Sequence, residues 1–203
     1  MASPAPLAAL LSRLEHALAA LEAVPALDEA RFEATHVLYE GRSDQQQRIL
    51  DYFAARIVPR LPARGTVRVL SVGCGSGILD VPLAARLAAR SETLEYVGLD
   101  PNSRECASFA RAFADAGIEG AALTVHDEPF EAFAARDTAG FDLVHLVHCL
   151  YYMPDPVAAV AEARRMLAPG GRLVLFHAPC GALNQLARPF YDKRYARPTP
   201  FAE

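Results

Sequence analysis

A glycine-rich turn is the segment of this chain best suited to holding a ligand. It reads Gly73-Cys74-Gly75-Ser76-Gly77 and directly follows the hydrophobic run Val69–Val72. Glycine allows a backbone to turn tightly and allows a ligand to approach its N–H groups. A strand that runs into such a turn therefore predicts a ligand site, although similar turns also occur without a ligand.

Two acidic residues follow where the next two strands are expected to end. Asp100 comes 23 residues after Gly77, and Asp127 follows the third predicted strand. A carboxylate at the end of the second strand can accept hydrogen bonds from both hydroxyls of a ribose. One after the third strand can meet an adenine amino group. Each residue alone is typical of an ordinary turn, so the prediction of a nucleoside site depends on their combination with the glycine turn.

The spacing of the glycines argues against two other nucleotide-binding motifs. In the dinucleotide fingerprint G-x-G-x-x-G, counted from Gly73, the third glycine would fall at Ile78. Here it comes one residue earlier, at Gly77. A P-loop is also excluded, because no Lys-Ser or Lys-Thr pair follows the turn.

An alternation of strands and helices must position these residues. The predicted strands are 66–72, 94–99, 121–126, 141–148 and 172–176, and the helices between them include 79–90, 103–116 and 156–167. Helices of this length between strands imply right-handed crossovers and a parallel sheet. We therefore expect a doubly wound α/β fold in residues 63–203, after an N-terminal helical segment in residues 1–62.

That N-terminal segment is expected to contain two helices. Residues 1–24 are rich in Ala and Leu at helical spacing but carry charges, which indicates an amphipathic helix and not a signal peptide. A hinge is expected around Pro25. A second helix is predicted from about residue 45 to Val58, with Ser43 or Asp44 as its N-cap and Pro59 at its end.

Composition and charge exclude several functional classes. The net charge is −4 and no Lys/Arg-rich run occurs, so nucleic acid is not expected as a partner. No stretch reaches the roughly twenty apolar residues of a membrane span.

The four cysteines lie far apart, which predicts free thiols in a reducing, cytoplasmic compartment, without a zinc or disulfide framework. His145 and His148 would point to opposite faces of one strand, so they cannot form a simple metal pair.

The order of these features resembles that of the class I S-adenosylmethionine (SAM)-dependent methyltransferases, over about Val67 to Phe176. The match also includes Phe141-Asp142-Leu143-Val144 in strand four and Leu167-Ala168-Pro169-Gly170-Gly171 before strand five. The resemblance implies a Rossmann-like, mainly parallel sheet, with SAM as cofactor and S-adenosylhomocysteine (SAH) as product. It also implies a small-molecule acceptor and no metal, because the cofactor is already activated.

A closer resemblance is to the histamine N-methyltransferase family. It includes the polar helix start Ser43-Asp44, the segment Leu70-Ser71-Val72-Gly73 followed by Leu79-Asp80, and the run His148-Cys149-Leu150-Tyr151-Tyr152. This resemblance implies a nitrogen acceptor, an amine or an imidazole-like group. Asp44 would hold it, flanked by His148, Tyr151 and Tyr152, because a carboxylate and aromatic faces both attract a cationic amine.

The cofactor contacts implied by these resemblances lie in three parts of the chain. They are Gly73, Cys74, Gly75 and Gly77 in the glycine turn, Asp100, Pro101 and Glu105 after strand two, and Asp127, Phe130 and Val147 around strands three and four. Glu105 and Phe130 differ in chemistry from the residues usual in the histamine family, and His148 stands where that family has an amide.

Two alternatives stay open at the level of the sequence. An acceptor oxygen, sulfur or carbon would suit the same fold, and so would a non-catalytic partner subunit. Only five strands are predicted, whereas the class usually has seven. We therefore expect a shortened member of the class, or a sheet edge completed by a homo-oligomer or another partner.

Overall fold

Five parallel strands form the centre of the structure. The computed structural model describes residues 4–23, 43–63, 65–136, 140–178 and 182–195. The strands are β1 (Thr66–Val72), β2 (Thr93–Leu99), β3 (Ala121–His126), β4 (Phe141–Val147) and β5 (Leu167–Phe176), arranged in the order β3-β2-β1-β4-β5. The order reverses between β1 and β4, and ligands of doubly wound sheets bind at the carboxyl ends of such strands. The predicted doubly wound α/β fold is confirmed.

Five of the seven described helices cover the two faces of this sheet. The described helices are α1 (Pro4–Ala19), α2 (Gln45–Tyr52), α3 (Asp80–Ala88), α4 (Ser103–Ala116), α5 (Phe130–Ala134), α6 (Pro156–Arg165) and α7 (Ala182–Tyr195). One apolar core joins the sheet to α2, α3 and α4, with Leu83 and Phe109 fully buried. A second core joins the other face to α5 and α6 through Phe133 and Ala163.

Two helices begin with side-chain caps that orient them on the sheet. Asn102 accepts a hydrogen bond from the Arg104 N–H at the start of α4, and α4 ends at Gly117, whose φ is 55°. Asp155 accepts hydrogen bonds from the N–H groups of Val157 and Ala158 at the start of α6. Such caps satisfy backbone donors that have no partner within the helix.

The helix predicted to end near Val58 changes its character earlier. Regular α-helix ends at Tyr52, and a π-helical turn at residues 53–57 and a 3₁₀ turn at residues 58–60 follow. Pro59 has no N–H group to donate an α-helical hydrogen bond, so the regular α-helix cannot continue unchanged through this position. The wider turn keeps Phe53 and Ile57 buried on the same face. At the other end, the Gln45 N–H donates to the Ser43 hydroxyl at 3.1 Å, whereas the Asp44 side chain makes no capping bond.

Strand β5 begins earlier than predicted. The sequence predicts a helix up to Leu167 and a strand from Arg172, but α6 ends at Arg165 and β5 begins at Leu167. Leu167 already pairs with Phe141, and the register shifts before Arg172 pairs with Leu143. A Cβ at Gly171 would lie 2.6 Å from the Phe141 carbonyl oxygen, so glycine permits the close approach of the two backbones.

Contacts divide the chain into two compact units, residues 42–176 and residues 1–41 with 177–203. The first contains the sheet and α2–α6. In the second, α1 and α7 contact each other. This grouping differs from the expected division after residue 62, because α2 and its following turns pack on the sheet. The hinge expected at Pro25 lies outside the described residues. Among the described helices, none combines the length and apolar character needed to cross a bilayer.

Candidate functional site at the carboxyl ends of the strands

The glycine turn folds over the end of β2. After β1, the N–H groups of Gly73 and Cys74 both donate to the Leu99 carbonyl oxygen, at 2.8 and 3.0 Å. Gly73, Gly75 and Gly77 have φ values of 70°, 52° and 79°. L side chains rarely adopt these values, so the conformation of the turn itself favours glycine at all three positions.

Only one of these three glycines borders open space. A Cβ at Gly73 would lie 2.5 Å from Cys149 Cβ, and one at Gly77 would lie 2.0 Å from the ring of Phe109. A Cβ at Gly75 would meet nothing closer than Glu105 Oε2, at 4.0 Å. Gly73 and Gly77 therefore serve close packing, whereas Gly75 leaves room for a ligand beside the turn.

Asp100 lies directly beside Gly75. Its Oδ2 accepts the Gly75 N–H at 3.1 Å, and its Oδ1 accepts the Asn102 N–H at 2.9 Å. A carboxylate oxygen has two acceptor sites. Each oxygen of Asp100 can therefore still accept a hydroxyl group from a ligand, while its position is fixed by the backbone.

Three of the predicted cofactor residues thus lie together, since Gly75 is next to both Asp100 and Glu105. Of the others, Pro101 and Asp127 are exposed, Val147 is half-buried at the end of β4, and Cys74 is buried in the turn. We call Gly75, Asp100 and Glu105 the Gly75 cradle. It has open backbone at Gly75, two acceptor oxygens at Asp100 and a second carboxylate at Glu105. These features fit a nucleoside with a ribose diol.

Phe130 lies among apolar groups. Its ring is 5% exposed and belongs to the core between the sheet and helices α5 and α6. It also lines a groove of about 420 Å³ between those two helices, together with Ala134, Ala159 and Arg165. This groove shares no lining residue with the Gly75 cradle, and we regard the cradle as the candidate site because its polar groups converge.

The segment after β4 borders the glycine turn. Cys149 donates a hydrogen bond to the Val72 carbonyl oxygen at 3.1 Å, next to Gly73. His148 has φ 53°, the one positive value at a described residue other than glycine, and its N–H donates to the Phe176 carbonyl oxygen at 2.9 Å. Strained backbone of this kind is typical of functional positions, so His148 is a candidate to face the acceptor.

The two neighbouring tyrosines are placed differently from His148. Tyr151 and Tyr152 form an edge-to-face pair with ring centroids 4.7 Å apart, in a 3₁₀ turn. Tyr152 is 61% exposed. The pair thus offers an aromatic surface close to the carboxyl end of β4.

Asp44 is already paired with a cation. Its carboxylate lies 2.6 Å from the Arg48 guanidinium, one turn further along α2, and both side chains are mostly exposed. An arginine beside a carboxylate reduces the attraction of that carboxylate for a second cation, although solvent screens an exposed pair. This geometry gives no support to the role that the sequence predicts for Asp44.

Sequence reasoning missed a buried polar cluster behind the glycine turn. The Tyr96 hydroxyl lies 2.8 Å from Asp80 Oδ1 and 2.9 Å from His145 Nε2, and all three side chains are almost inaccessible. Burial lowers the pKa of His145, so its ring is neutral at pH 7. Since Tyr96 donates to Asp80, Nε2–H must donate to Tyr96. Asp80 matched the histamine family in the sequence, but its partners on β2 and β4 could not be seen there.

Three cysteines, Cys74, Cys106 and Cys149, are free and buried, and Cys180 lies outside the described residues. Burial, with a smaller contribution from the charges of Asp80 and Asp100, raises the pKa of Cys74 far above its usual range. Burial raises the pKa of Cys149 to about 12. The thiolate is the reactive form of cysteine, so both groups should be unreactive at neutral pH.

We therefore expect Cys74 and Cys149 to resist iodoacetamide in the folded protein at pH 7 and to react readily in urea. Because burial raises the pKa of Cys149 to about 12, its labelling rate should still rise with pH above about 8.5, where the rate of an ordinary thiol levels off. Peptide mass spectrometry after timed labelling measures each site separately. Equal labelling rates in folded and unfolded protein would contradict the burial of these thiols.

Comparisons with known proteins agree with this architecture. A family model described as a methyltransferase domain matches residues 43–200. A ubiquinone biosynthesis O-methyltransferase of Xanthomonas oryzae is 35% identical over 127 residues, which are 62% of this chain and 47% of that protein. A protein of the same name from Cereibacter sphaeroides is 30% identical over 161 residues, which are 79% of this chain and 59% of that protein. The chain thus spans about half the length of these curated relatives.

A solved structure gives the same result for the fold. Magnesium protoporphyrin IX methyltransferase of Synechocystis, crystallised with bound SAM, superposes with a TM-score of 0.51 and 18% identity. The match covers 77% of this chain and 66% of that one. Both of these curated relatives carry the name of an O-methyltransferase, so they do not support the expected resemblance to histamine N-methyltransferases.

Proposed function

Since this chain belongs to the methyltransferase domain family, we propose that it binds SAM in the Gly75 cradle and methylates a hydroxyl oxygen of a small molecule. The observation that carries the proposal is the geometry of Gly75, Asp100 and Glu105. Open space at Gly75 lies beside a carboxylate that is held in place by two N–H groups and still has acceptor sites. This arrangement suits the ribose of a nucleoside cofactor.

The bound cofactor supplies an activated methyl group, whose transfer forms an O–CH₃ bond, breaks the S–CH₃ bond and leaves the electron pair on sulfur. The residues of the chain then have to align the acceptor and exclude water. Asp100 fixes the nucleoside end of the site. His148 lies at the switch point between β1 and β4, beside the turn, and is our candidate to accept the hydroxyl proton.

An oxygen acceptor is supported by two observations. Two of the curated relatives, from Xanthomonas oryzae and Cereibacter sphaeroides, are named as O-methyltransferases. Asp44, which would have to hold a cationic amine, is paired with Arg48. A neutral hydroxyl needs no such anchor, and the aromatic surface of Tyr151 and Tyr152 could cover the organic part of the acceptor.

We expect the purified chain to transfer label from methyl-labelled SAM to phenols and not to amines or thiols. His148→Gln should lower kcat by at least about a hundredfold, because it removes the base, while changing the affinity for SAM little. Asp44→Asn should leave kcat and KM unchanged. Thin-layer or mass-spectrometric analysis of the product identifies the methylated atom.

Label found only on an amine, with KM raised by Asp44→Asn, would contradict the oxygen proposal and restore the nitrogen acceptor predicted from the sequence. Binding of SAM without transfer to any acceptor would support the alternative of a non-catalytic subunit. An unchanged kcat in His148→Gln would exclude His148 as the base, but it would not affect the proposal that the acceptor is an oxygen.

A further inference from the structure

Behind the glycine turn lies a buried carboxylate that has no cationic partner in the described part of the chain. Asp80 is the first residue of α3, three positions after Gly77, and is 3% exposed. Its partners among the described residues are the Tyr96 hydroxyl at 2.8 Å and the ring of His145 at 3.5 Å. Neither carries a positive charge, because burial lowers the pKa of His145.

Such an arrangement is costly in a folded protein. A buried ion is normally paired with an opposite charge, because it loses its hydration without compensation. The amino end of α3 offsets part of this cost, since helix N-termini favour negative groups. The remaining charge is available to a positive group that binds nearby.

The Asp80 cluster lies close to the glycine turn, because His145 pairs in register with Ser71 of β1, two residues before Gly73. In agreement with this position, the charge of Asp80 adds to burial in raising the pKa of Cys74. Cys74 lies next to Gly75, and Cys149 packs against Gly73. In an interior of low dielectric, the charge of Asp80 acts on neighbouring groups more strongly than it would in water.

We propose that Asp80 is a charge-selecting residue, whose buried carboxylate makes the glycine turn favour a cationic cofactor over its neutral product. This inference rests on the proposed function, because it takes SAM as the ligand of the turn. SAM carries a sulfonium group and has one positive charge more than SAH. Asp80 therefore stabilises the complex with SAM relative to the complex with SAH, which favours replacement of the product by a new SAM.

Tyr96 and His145 act as positioning residues in this scheme. The hydroxyl of Tyr96 donates to the carboxylate and accepts from His145, so the carboxylate is held by β2 and β4 through hydrogen bonds that add no charge. A lysine or arginine in place of either would neutralise Asp80 and remove its field at the turn. The neutral partners hold Asp80 in place without cancelling that field.

Calorimetric titration of the full chain with SAM and with SAH tests the proposal. We expect Asp80→Asn to weaken SAM binding about fivefold or more and SAH binding less than about twofold. Asn keeps an oxygen that can accept the Tyr96 hydroxyl, so the fold should survive. The matched control is Asp142→Asn, which removes one partly buried carboxylate at the amino end of β4, where it accepts the Arg68 N–H. We expect it to leave the ratio of the two affinities unchanged.

A parallel loss of SAM and SAH affinity in Asp80→Asn, or no loss of either, would overturn the proposal. If the wild type binds neither ligand, the proposed function fails first, and this result is distinguishable from a wild type that binds both. If Asp80→Asn does not fold, the wild type provides a second measurement with sinefungin, in which an ammonium-bearing carbon replaces the sulfur. Sinefungin should bind more tightly than neutral SAH, and weaker binding would overturn the proposal.

Discussion

Asp100→Ala should weaken SAM binding at least about tenfold, or ~1.4 kcal/mol. The carboxylate accepts the N–H groups of Gly75 and Asn102, and its remaining acceptor sites are offered to the ribose hydroxyls. Removing it eliminates charge-assisted hydrogen bonds to the ligand and also frees the Gly75 N–H. Calorimetric titration with SAM measures the loss directly.

Two companion variants make this test specific. Asp100→Asn keeps one acceptor oxygen, so its affinity should fall between those of the wild type and Asp100→Ala. Asp115→Ala removes an exposed carboxylate near the end of α4, far along the helix from Asn102, and should bind SAM as the wild type does. Unchanged affinity in a folded Asp100→Ala variant would exclude Asp100 from the cofactor site.

Gly75→Val should abolish measurable SAM binding while leaving the sheet intact. A side chain at this position would enter the open space beside the turn, where no protein atom lies closer than 4.0 Å to the added Cβ. The φ of 52° adds strain of about 1–2 kcal/mol for an L residue. Circular dichroism should show a native spectrum with a lowered Tm.

Gly117 provides a matched control for the strain at Gly75. Its φ is 55° and a Cβ there would also meet nothing within 4 Å, but it lies at the end of α4. Gly117→Val should therefore lose similar stability and keep its affinity for SAM. Gly77→Val should instead disrupt the fold, because Phe109 occupies the space of its Cβ. If Gly75→Val bound SAM with the affinity of the wild type, the glycine turn would have a structural role only.

The sheet could be predicted from sequence because its signals are local. Strands β1 and β3 lie at their predicted bounds, since β-branched runs between turn residues specify them. Helix α7 was missed, because Pro189 within it argues against a helix. The start of β5 was missed because its pairing with Phe141 depends on a neighbouring strand and not on the local residues.

The candidate site could be predicted only where its residues are close in sequence or follow a known pattern. Gly75 and Asp100 were found because a glycine turn and an acidic strand end form a familiar pair. The Asp80, Tyr96 and His145 cluster comes from α3, β2 and β4, and only the register of three strands brings it together. The methyl acceptor was harder to predict than the cofactor site. Ser43-Asp44 matches a short motif, but the motif does not show that Arg48 pairs with the Asp44 carboxylate.

Titration of the wild-type chain with SAM in a calorimeter tests directly whether the Gly75 cradle binds SAM. We expect saturable binding of one SAM per chain, competition by SAH, and no binding of NAD under the same conditions. Absence of binding heat with both SAM and SAH, in protein shown to be folded, would contradict SAM binding at the cradle. Equal binding of NAD and SAM would also contradict the assignment of the cradle to SAM, because the turn would then be a general nucleotide site.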